Sequence, residues 1–281
     1  MKIAIAAATG QLGHLVVAKL KERTSAENLV ALVRTPEKAK DLGIDALAFD
    51  YAKPETQVEA LKGIDALLLI SSNEIGQRET QHKNVINSAK KAGVKWIVYT
   101  SLLRADTSTL SLAPEHLATE IALKESGLAY TILRNGWYTE NYTNSVPNAV
   151  KNGAFIGSVG DGKIASAARE DYAEAAAIVL TTEGNEGKTL ELAGDTAYSL
   201  TELAAEISKQ TGKNIPYNNL PEEKYAEILE SVGLPAGLSK AIASWDVSAS
   251  KGDLFDDGKV LSGILGHPTT PLADVVKKVL G

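Results

Sequence analysis

The feature that most constrains the fold is a regular alternation of short apolar runs with helix-like segments across residues 3–133. Leu29–Val33 and Ala66–Ile70 are continuous apolar runs, which are typical of parallel strands covered by helices on both faces. Strands that alternate with helices form a parallel sheet, and ligands bind beyond the carboxyl ends of its strands. The sequence therefore predicts an α/β fold with a Rossmann-type, doubly wound parallel sheet.

The alternation loosens beyond Asn141 into helices separated by short extended pieces. Ser199 and Glu202 have the spacing of a capping box, which predicts a helix that begins there. We expect residues 1–135 to form a Rossmann domain, with its ligand at the carboxyl ends of the strands. Residues 136–281 should form a smaller C-terminal α/β lobe that binds substrate and is partly interleaved with the sheet.

Composition excludes several classes of function. The 281 residues carry a net charge of -6 and no cysteine, which argues against nucleic-acid binding, disulfides and cysteine-ligated metals. No apolar run approaches the roughly 20 residues of a membrane span, so we expect no membrane insertion and a cytoplasmic location. His14, His82 and His267 lack metal-ligand spacing, and no metal is expected. The sequence leaves the oligomeric state open.

The first apolar run leads into a glycine-containing turn and then into a helix-period pattern. In such a unit the free N–H groups and the positive end of the helix dipole point into the turn and favour a diphosphate. A purely structural turn is the alternative. Ala7 stands where a first glycine is usual; we expect it to end the strand with an extended conformation, so that Ala7→Gly changes NADPH affinity little. The expected diphosphate-binding residues are Thr9, Gly10, Gln11, Leu12 and Gly13.

Arg34 ends the second apolar run, with Lys38 one helical turn further on. Enzymes that use NAD tend to have a carboxylate at this place, which would repel a 2′-phosphate. A guanidinium binds a phosphate through two charge-assisted hydrogen bonds. NADPH is therefore favoured over NADH, although a solvated arginine at a strand end is the alternative.

The proton relay of many reductases, a tyrosine followed four residues later by lysine, is missing, because no tyrosine has lysine at that position. His116 and Glu120 lie one helical turn apart on the segment where the relay would be expected. If the two side chains pair, Glu120 raises the pKa of the imidazole and makes His116 a usable acid. The alternative is two solvated side chains on an exposed helix face.

Several blocks of sequence carry a family resemblance. They are ATGQLG, VRTPEKA, LLLISS, YTSLL, LRNGWYTENY and GDGKIASAAREDYAEAA. The chain resembles the NmrA-like branch of the atypical short-chain dehydrogenases/reductases, and is most similar to the bacterial type 2 NAD(P)H:quinone oxidoreductases, with the triphenylmethane reductases as related members. The resemblance covers nearly the whole chain.

The resemblance implies that NADPH donates hydride directly and that no flavin or metal takes part. It places Ser71, Gln77 and Arg78 along the bound cofactor. It also implies that a block of four residues adjoins the nicotinamide. These residues are Asn135, Gly136, Trp137 and Tyr138.

A quinone suits a site without a strong acid, because the hydroquinone anion is a weaker base than an alkoxide. Such a site needs a flat apolar slot and a donor for the carbonyl oxygens. Trp137, Tyr138 and Tyr142 are expected to supply ring faces and Asn141 an amide, with a core role as the alternative for Tyr142. We therefore predict a flavin-free NADPH-dependent reductase acting on a quinone or a dye-like acceptor. An NADPH/NADP-sensing regulatory protein without turnover is the alternative, and a sugar-nucleotide epimerase is disfavoured by the missing relay.

Overall fold

A computed structural model describes residues 1–281 and contains a seven-stranded parallel sheet in the order β3-β2-β1-β4-β5-β6-β8. The predicted doubly wound α/β fold is confirmed, with the strand order reversing between β1 and β4. The strands of the sheet are β1 (Ile3–Ala6), β2 (Leu29–Val33), β3 (Asp45–Ala48), β4 (Ala66–Leu69), β5 (Trp96–Leu102), β6 (Ala129–Asn135) and β8 (Thr189–Leu192). A separate parallel pair is formed by β7 (Phe155–Gly157) and β9 (Tyr217–Asn219).

Twelve α-helices surround the two sheets. They are α1 (Gln11–Lys21), α2 (Pro54–Ala60), α3 (Arg78–Ala92), α4 (Ala113–Ser126), α5 (Glu140–Thr143), α6 (Val146–Asn152), α7 (Arg169–Thr181), α8 (Leu200–Thr211), α9 (Glu222–Ser231), α10 (Ala236–Ser250), α11 (Val260–Leu265) and α12 (Leu272–Leu280). Residues Pro36–Leu42 form a 3-10 helix between β2 and β3. No helix combines the length and the apolar character that crossing a bilayer requires.

Apolar residues of β1 alternate between two cores, one on each face of the sheet. Ile3 and Ile5 pack in a core that includes residues of α1 and α7. Ala4 and Ala6 pack in a second core with residues of α3 and α4. Every residue of β1 is buried, which is why a continuous apolar run encodes this strand.

The region after residue 135 contributes to both parts of the molecule. Its strand β8 extends the large sheet beside β6, and α7 packs against α1. The remaining pieces form a third core around β7, α8 and α12. The predicted helix start at Ser199 is confirmed, since its side chain and that of Glu202 make a reciprocal capping box. The exact boundary at residue 135 stays a prediction.

The expected extended conformation of Ala7 is wrong. The strand ends at Ala6, and Ala7 has φ of 54°, in the left-handed region. The chain turns there so that the Gly10 N–H donates to the Ala7 carbonyl at 2.9 Å. The helix then returns close to the strand: a Cβ on Gly13 would lie 2.4 Å from the Ala7 oxygen and 2.7 Å from Ala8 Cα. Gly13 is therefore required by close packing of α1 against the end of β1.

Ala7→Gly should raise the free energy of unfolding by about 0.5–1 kcal/mol. Glycine removes the left-handed penalty in the folded protein, which outweighs its larger entropy in the unfolded chain. Urea unfolding measures the change. Ala6→Gly in the buried strand is the control and should lose about 1 kcal/mol. A loss of stability in Ala7→Gly would contradict the strained turn.

Candidate active site

A cavity of about 950 Å³ lies beyond the carboxyl ends of the central strands. This is where a doubly wound sheet binds its ligands. Gln77 and Glu120 are the two predicted site residues that do not line it. The other predicted residues all line it: Thr9, Gly10, Gln11, Leu12, Gly13, Arg34, Ser71, Arg78, His116, Asn135, Gly136, Trp137, Tyr138, Asn141 and Tyr142.

One end of the cavity is suited to phosphate groups. Helix α1 begins after Gly10 with no side-chain cap and no acidic residue in its first turn, which leaves its N-terminal dipole directed at the cavity. The exposed side chains of Arg34 and Lys38 lie at the same end. Arg34 is paired with Glu74 at 3.3 Å, with side chains 69% and 47% exposed, so the contact is weak. A phosphate could therefore displace this carboxylate.

Arg78, at the start of α3, is held in place from several sides although it is only 8% exposed. Its Nε donates to the Ser72 carbonyl at 2.6 Å, and its Nη1 lies 3.4 Å from His116 Nε2. Its backbone N–H donates to Glu115 Oε1 at 3.1 Å. A guanidinium fixed in this way presents a preorganised positive charge to the cavity.

The predicted pairing of His116 with Glu120 is wrong. Glu120 accepts two hydrogen bonds from the Arg134 guanidinium, at 2.9 and 2.8 Å, and one from Ser101 at 2.6 Å. Both predicted residues are buried, because their face of α4 packs on β5 and β6 and is not exposed to solvent. Arg134, which binds Glu120, comes from β6. The helical spacing of His116 and Glu120 gave no indication of this partner.

His116 is neutral and cannot serve as the predicted acid. Because the Arg78 guanidinium donates to Nε2, the proton of the neutral ring is on Nδ1, which lies 2.8 Å from the Tyr99 hydroxyl. Burial, and then the charge of Arg78, lower the pKa of His116 to about 3. The imidazole therefore positions Arg78.

His82, which lacks metal-ligand spacing in the sequence, is buried beside Arg78 and bonds to the same residue, Ser72. Its Nε2 accepts from the Ser72 N–H at 3.0 Å, so its proton is on Nδ1, which lies 2.9 Å from the Thr119 hydroxyl. Burial, and then the charge of Arg78, lower its pKa to about 3. Ser72 is therefore held through its N–H by His82 and through its carbonyl by Arg78.

The other end of the cavity is apolar and aromatic. The Trp137 and Trp245 rings meet edge to face at 5.7 Å, and the Arg169 guanidinium lies 4.6 Å above the Tyr138 ring. Near them, the Asn135 side-chain oxygen is buried without a hydrogen-bond partner. A ligand amide can supply the missing donor.

Helices α9 and α10 add lining residues that the sequence did not point to, namely Tyr225, Ile242 and Asp246. Trp245, next to Asp246 on α10, and Phe155 on β7 also line the cavity. Residues so far along the chain from the sheet carry no local signal that they would reach it. The chain holds no group of three or more His, Asp or Glu side chains arranged to ligate a metal ion.

The lining fits a reduced dinucleotide. An uncapped helix start and two cations occupy one end, a preorganised arginine lies between, and an unpartnered amide oxygen marks the far end. Helix starts and arginines bind phosphates, and a carboxamide such as that of nicotinamide donates to an amide oxygen. Residues at the carboxyl ends of six strands, β1 to β6, thus line a single cavity.

The two buried neutral histidines should make stability depend on pH. Each has a folded pKa of about 3 against the usual 6.5, so the unfolded chain binds more protons in between. The stability that each histidine contributes is fully present above pH 6.5 and falls towards pH 3, by roughly 1.4 kcal/mol per pH unit for each histidine. Urea unfolding from pH 7 to pH 4 measures this slope. His116→Gln should flatten it, whereas His14→Gln, at an exposed site, should not; equal slopes in all three proteins would contradict the assignment.

Comparisons with known proteins identify the family to which the chain belongs. Residues 7–183 match a family model described as NAD(P)H-binding. The chain is 57% identical to quinone oxidoreductase 2 of Escherichia coli K12 over 98% of its own length and 97% of that protein. The structure of that E. coli enzyme with NADPH superposes with a TM-score of 0.97, covering 99% of this chain and 100% of the other.

Two further relatives are more distant. The Citrobacter triphenylmethane reductase complexed with NADP(H) has 34% identity and a TM-score of 0.96, covering 99% of this chain and 100% of the other. The NmrA-like family domain-containing oxidoreductase flvB of Aspergillus flavus is 28% identical over 100% of this chain and 95% of its own. With its sheet, its cavity and these similarities, the chain belongs to the NAD(P)H-binding, NmrA-like family of oxidoreductases.

Proposed function

We propose that this protein is an NADPH-dependent reductase that transfers hydride directly to a quinone, or to a similar flat conjugated electrophile, without a flavin or a metal. The observation that carries the proposal is one continuous cavity whose phosphate-binding end leads to an aromatic slot. The relatives support it, because quinone oxidoreductase 2 is described as NADPH-dependent and the Citrobacter protein reduces triphenylmethane dyes.

Each part of the cofactor has a matching set of residues in the proposal. Thr9 to Gly13 bind the diphosphate through the start of α1, and Arg34 with Lys38 binds the 2′-phosphate. Ser71 and Arg78 lie along the middle of the cofactor. Gln77 is left out because it is exposed at the start of α3 and does not line the cavity.

The nicotinamide lies against the end of β6. The Asn135 oxygen accepts from its carboxamide, which satisfies a buried acceptor that otherwise costs about 1–3 kcal/mol. Gly136 is required by packing at the end of β6, because a Cβ there would come 3.0 Å from the Leu192 carbonyl and the Tyr172 hydroxyl. Trp137 and Tyr138 border the same place and adjoin the acceptor slot.

When bound, NADPH supplies a hydride at nicotinamide C4. The chain then has to hold a flat ring against that carbon and keep water away. Trp137, Trp245 and Tyr142 provide apolar ring surface, and the exposed amide of Asn141 can donate to a carbonyl oxygen at the slot entrance. Placing two reactants in contact converts a bimolecular encounter into an intramolecular step.

A quinone accepts hydride at a conjugated, electron-poor ring in a single two-electron step, so no flavin or metal is needed as an intermediary. The proposal includes no nucleic-acid partner, in line with the net charge of -6. We also propose a cytoplasmic location, with the cysteine-free composition as its support.

Arg34→Ala should weaken NADPH binding by about 10- to 100-fold and leave NADH binding nearly unchanged, because only NADPH carries the 2′-phosphate. Isothermal titration of both cofactors measures the difference. Arg23→Ala, which removes an exposed arginine bonded to Thr181, is the control and should affect neither. Equal losses for NADPH and NADH would overturn the assignment of Arg34.

Anaerobic mixing of NADPH-bound protein with benzoquinone or naphthoquinone should oxidise one NADPH per protein in a single turnover. Absorbance at the NADPH band follows the reaction in stopped flow, with protein-free NADPH plus quinone as the control. A protein that binds NADPH yet oxidises it no faster than this control would contradict the reductase and favour the regulatory sensor. Triphenylmethane and azo dyes in the same assay define the range of acceptors.

A further inference from the structure

A buried carboxylate lies in the wall of the acceptor half of the cavity. Asp246, on α10, is 3% exposed and lines the cavity beside Trp245. Its Oδ1 accepts from the Tyr142 hydroxyl at 3.1 Å, and Tyr142 lines the same space. Its Oδ2 accepts from the Ser158 backbone N–H at 2.8 Å.

No positive charge compensates this carboxylate. No lysine, arginine or histidine nitrogen lies within ion-pair distance of Asp246, whereas the buried Glu120 is paired with Arg134. The titratable groups that face Asp246 are three tyrosines, Tyr142 from α5, Tyr217 from β9 and Tyr225 from the neighbouring α9. A buried acid without a cation is costly, and such acids concentrate at functional sites.

The two oxygens of Asp246 have different tasks. Oδ2 fixes the carboxyl to Ser158, because a backbone N–H can only donate. A proton on the carboxyl must therefore sit on Oδ1, where its only partner is the Tyr142 oxygen. Protonation then reverses this hydrogen bond, and the Tyr142 hydroxyl hydrogen becomes free for another acceptor.

We propose that Asp246 and Tyr142 form a proton relay to the acceptor oxygen and replace the missing tyrosine-lysine relay. The proposal rests on the reductase function above. NADPH loses a hydride and becomes NADP⁺, and the quinone gains that hydride with its electron pair and becomes a hydroquinone anion. The Tyr142 hydroxyl proton passes to the anionic oxygen while the Asp246 proton passes to Tyr142. Water then returns a proton to the Asp246 carboxylate.

The environment of the carboxyl agrees with this role. Burial raises the pKa of Asp246 to about 6, partly opposed by its hydrogen bonds from Ser158 and Tyr142. Burial, and then the charge of Asp246, raise the pKa of Tyr142 well above its usual value. Tyr142 therefore gives up its proton only when it receives the proton of Asp246, so the two protons move together.

The relay predicts a dependence on the acceptor that a structural role does not. Tetramethyl-1,4-benzoquinone gives a more basic hydroquinone anion than tetrachloro-1,4-benzoquinone and needs the proton more. At pH 6 Asp246→Asn and Tyr142→Phe should each lower the single-turnover rate with the tetramethyl compound by about 100-fold or more. With the tetrachloro compound the loss should be under about 3-fold, since little proton transfer accompanies its reduction.

The relay also predicts a pH profile. With the tetramethyl compound the wild-type rate should fall as pH rises above about 6, where Asp246 loses its proton. Both variants should show a flat profile. Tyr198→Phe is the matched control: it removes a buried hydroxyl bonded to Ser166 outside the cavity wall, and should keep the wild-type rate and profile.

A measurement without turnover completes the test. Carbon-13 NMR of aspartate carboxyls in cofactor-free protein should show one group that titrates near pH 6 and is missing in Asp246→Asn. Equal losses with both quinones, an unchanged pH profile in the variants, or an Asp246 that titrates below pH 4 would overturn the relay. If Asp246→Asn does not fold, Tyr142→Phe decides alone. A wild-type protein inactive with every quinone would instead overturn the reductase function.

Discussion

The crevice exists because the strand order reverses at β1. Strand β2 lies on one side of β1 and β4 on the other, so the chain segments that leave these strands diverge and cannot fill the space between them. The helix after β1 must start at that point, and it comes so close that Gly13 has no room for a side chain. In the same turn Ala7 adopts a left-handed conformation. The position of the cavity therefore follows from sheet topology, and the turn after β1 is adapted to it even at a local cost.

Beneath this crevice lies a layer of buried polar groups whose partners come from different elements. Arg78 bonds to His116 and to Ser72, and His82 bonds to the same Ser72, while Glu120 and Arg134 form a separate pair between α4 and β6. Removing one member would leave a buried donor or acceptor unpaired, which costs more than the hydrogen bond itself contributes. The layer thus fixes the ends of β4, β5 and β6 relative to one another. Its histidines contribute as neutral hydrogen-bonding groups, not as acids.

Local pattern was sufficient for the sheet and for most of the residues that line the cavity at the strand ends. Parallel strands buried on both faces are written as continuous apolar runs, and residues that directly follow a strand, such as Arg34 and Asn135, must lie at its carboxyl end. Contacts between segments that are distant in the sequence could not be predicted from local pattern. The helical spacing of His116 and Glu120 correctly put them on one face, but Arg134 decides which partner Glu120 takes. The conformation of Ala7 depends on how closely α1 packs, which composition and spacing do not record.

The aromatic end of the cavity is built from different elements than the end at α1. This difference suggests how related proteins can come to accept different substrates. Trp137 and Tyr142 follow β6, but Tyr225, Trp245 and Asp246 come from α9 and α10, which pack against each other and contribute no strand to the large sheet. Changes in those helices can reshape the slot without disturbing the phosphate-binding end. Relatives with 57% and 34% identity superpose equally well on the whole chain although one is named for quinones and the other for triphenylmethane dyes. Reduction of a cationic dye needs only hydride, whereas a quinone also needs a proton. A proton-delivering group carried by the lobe can therefore be gained or lost while the hydride-transfer half stays the same.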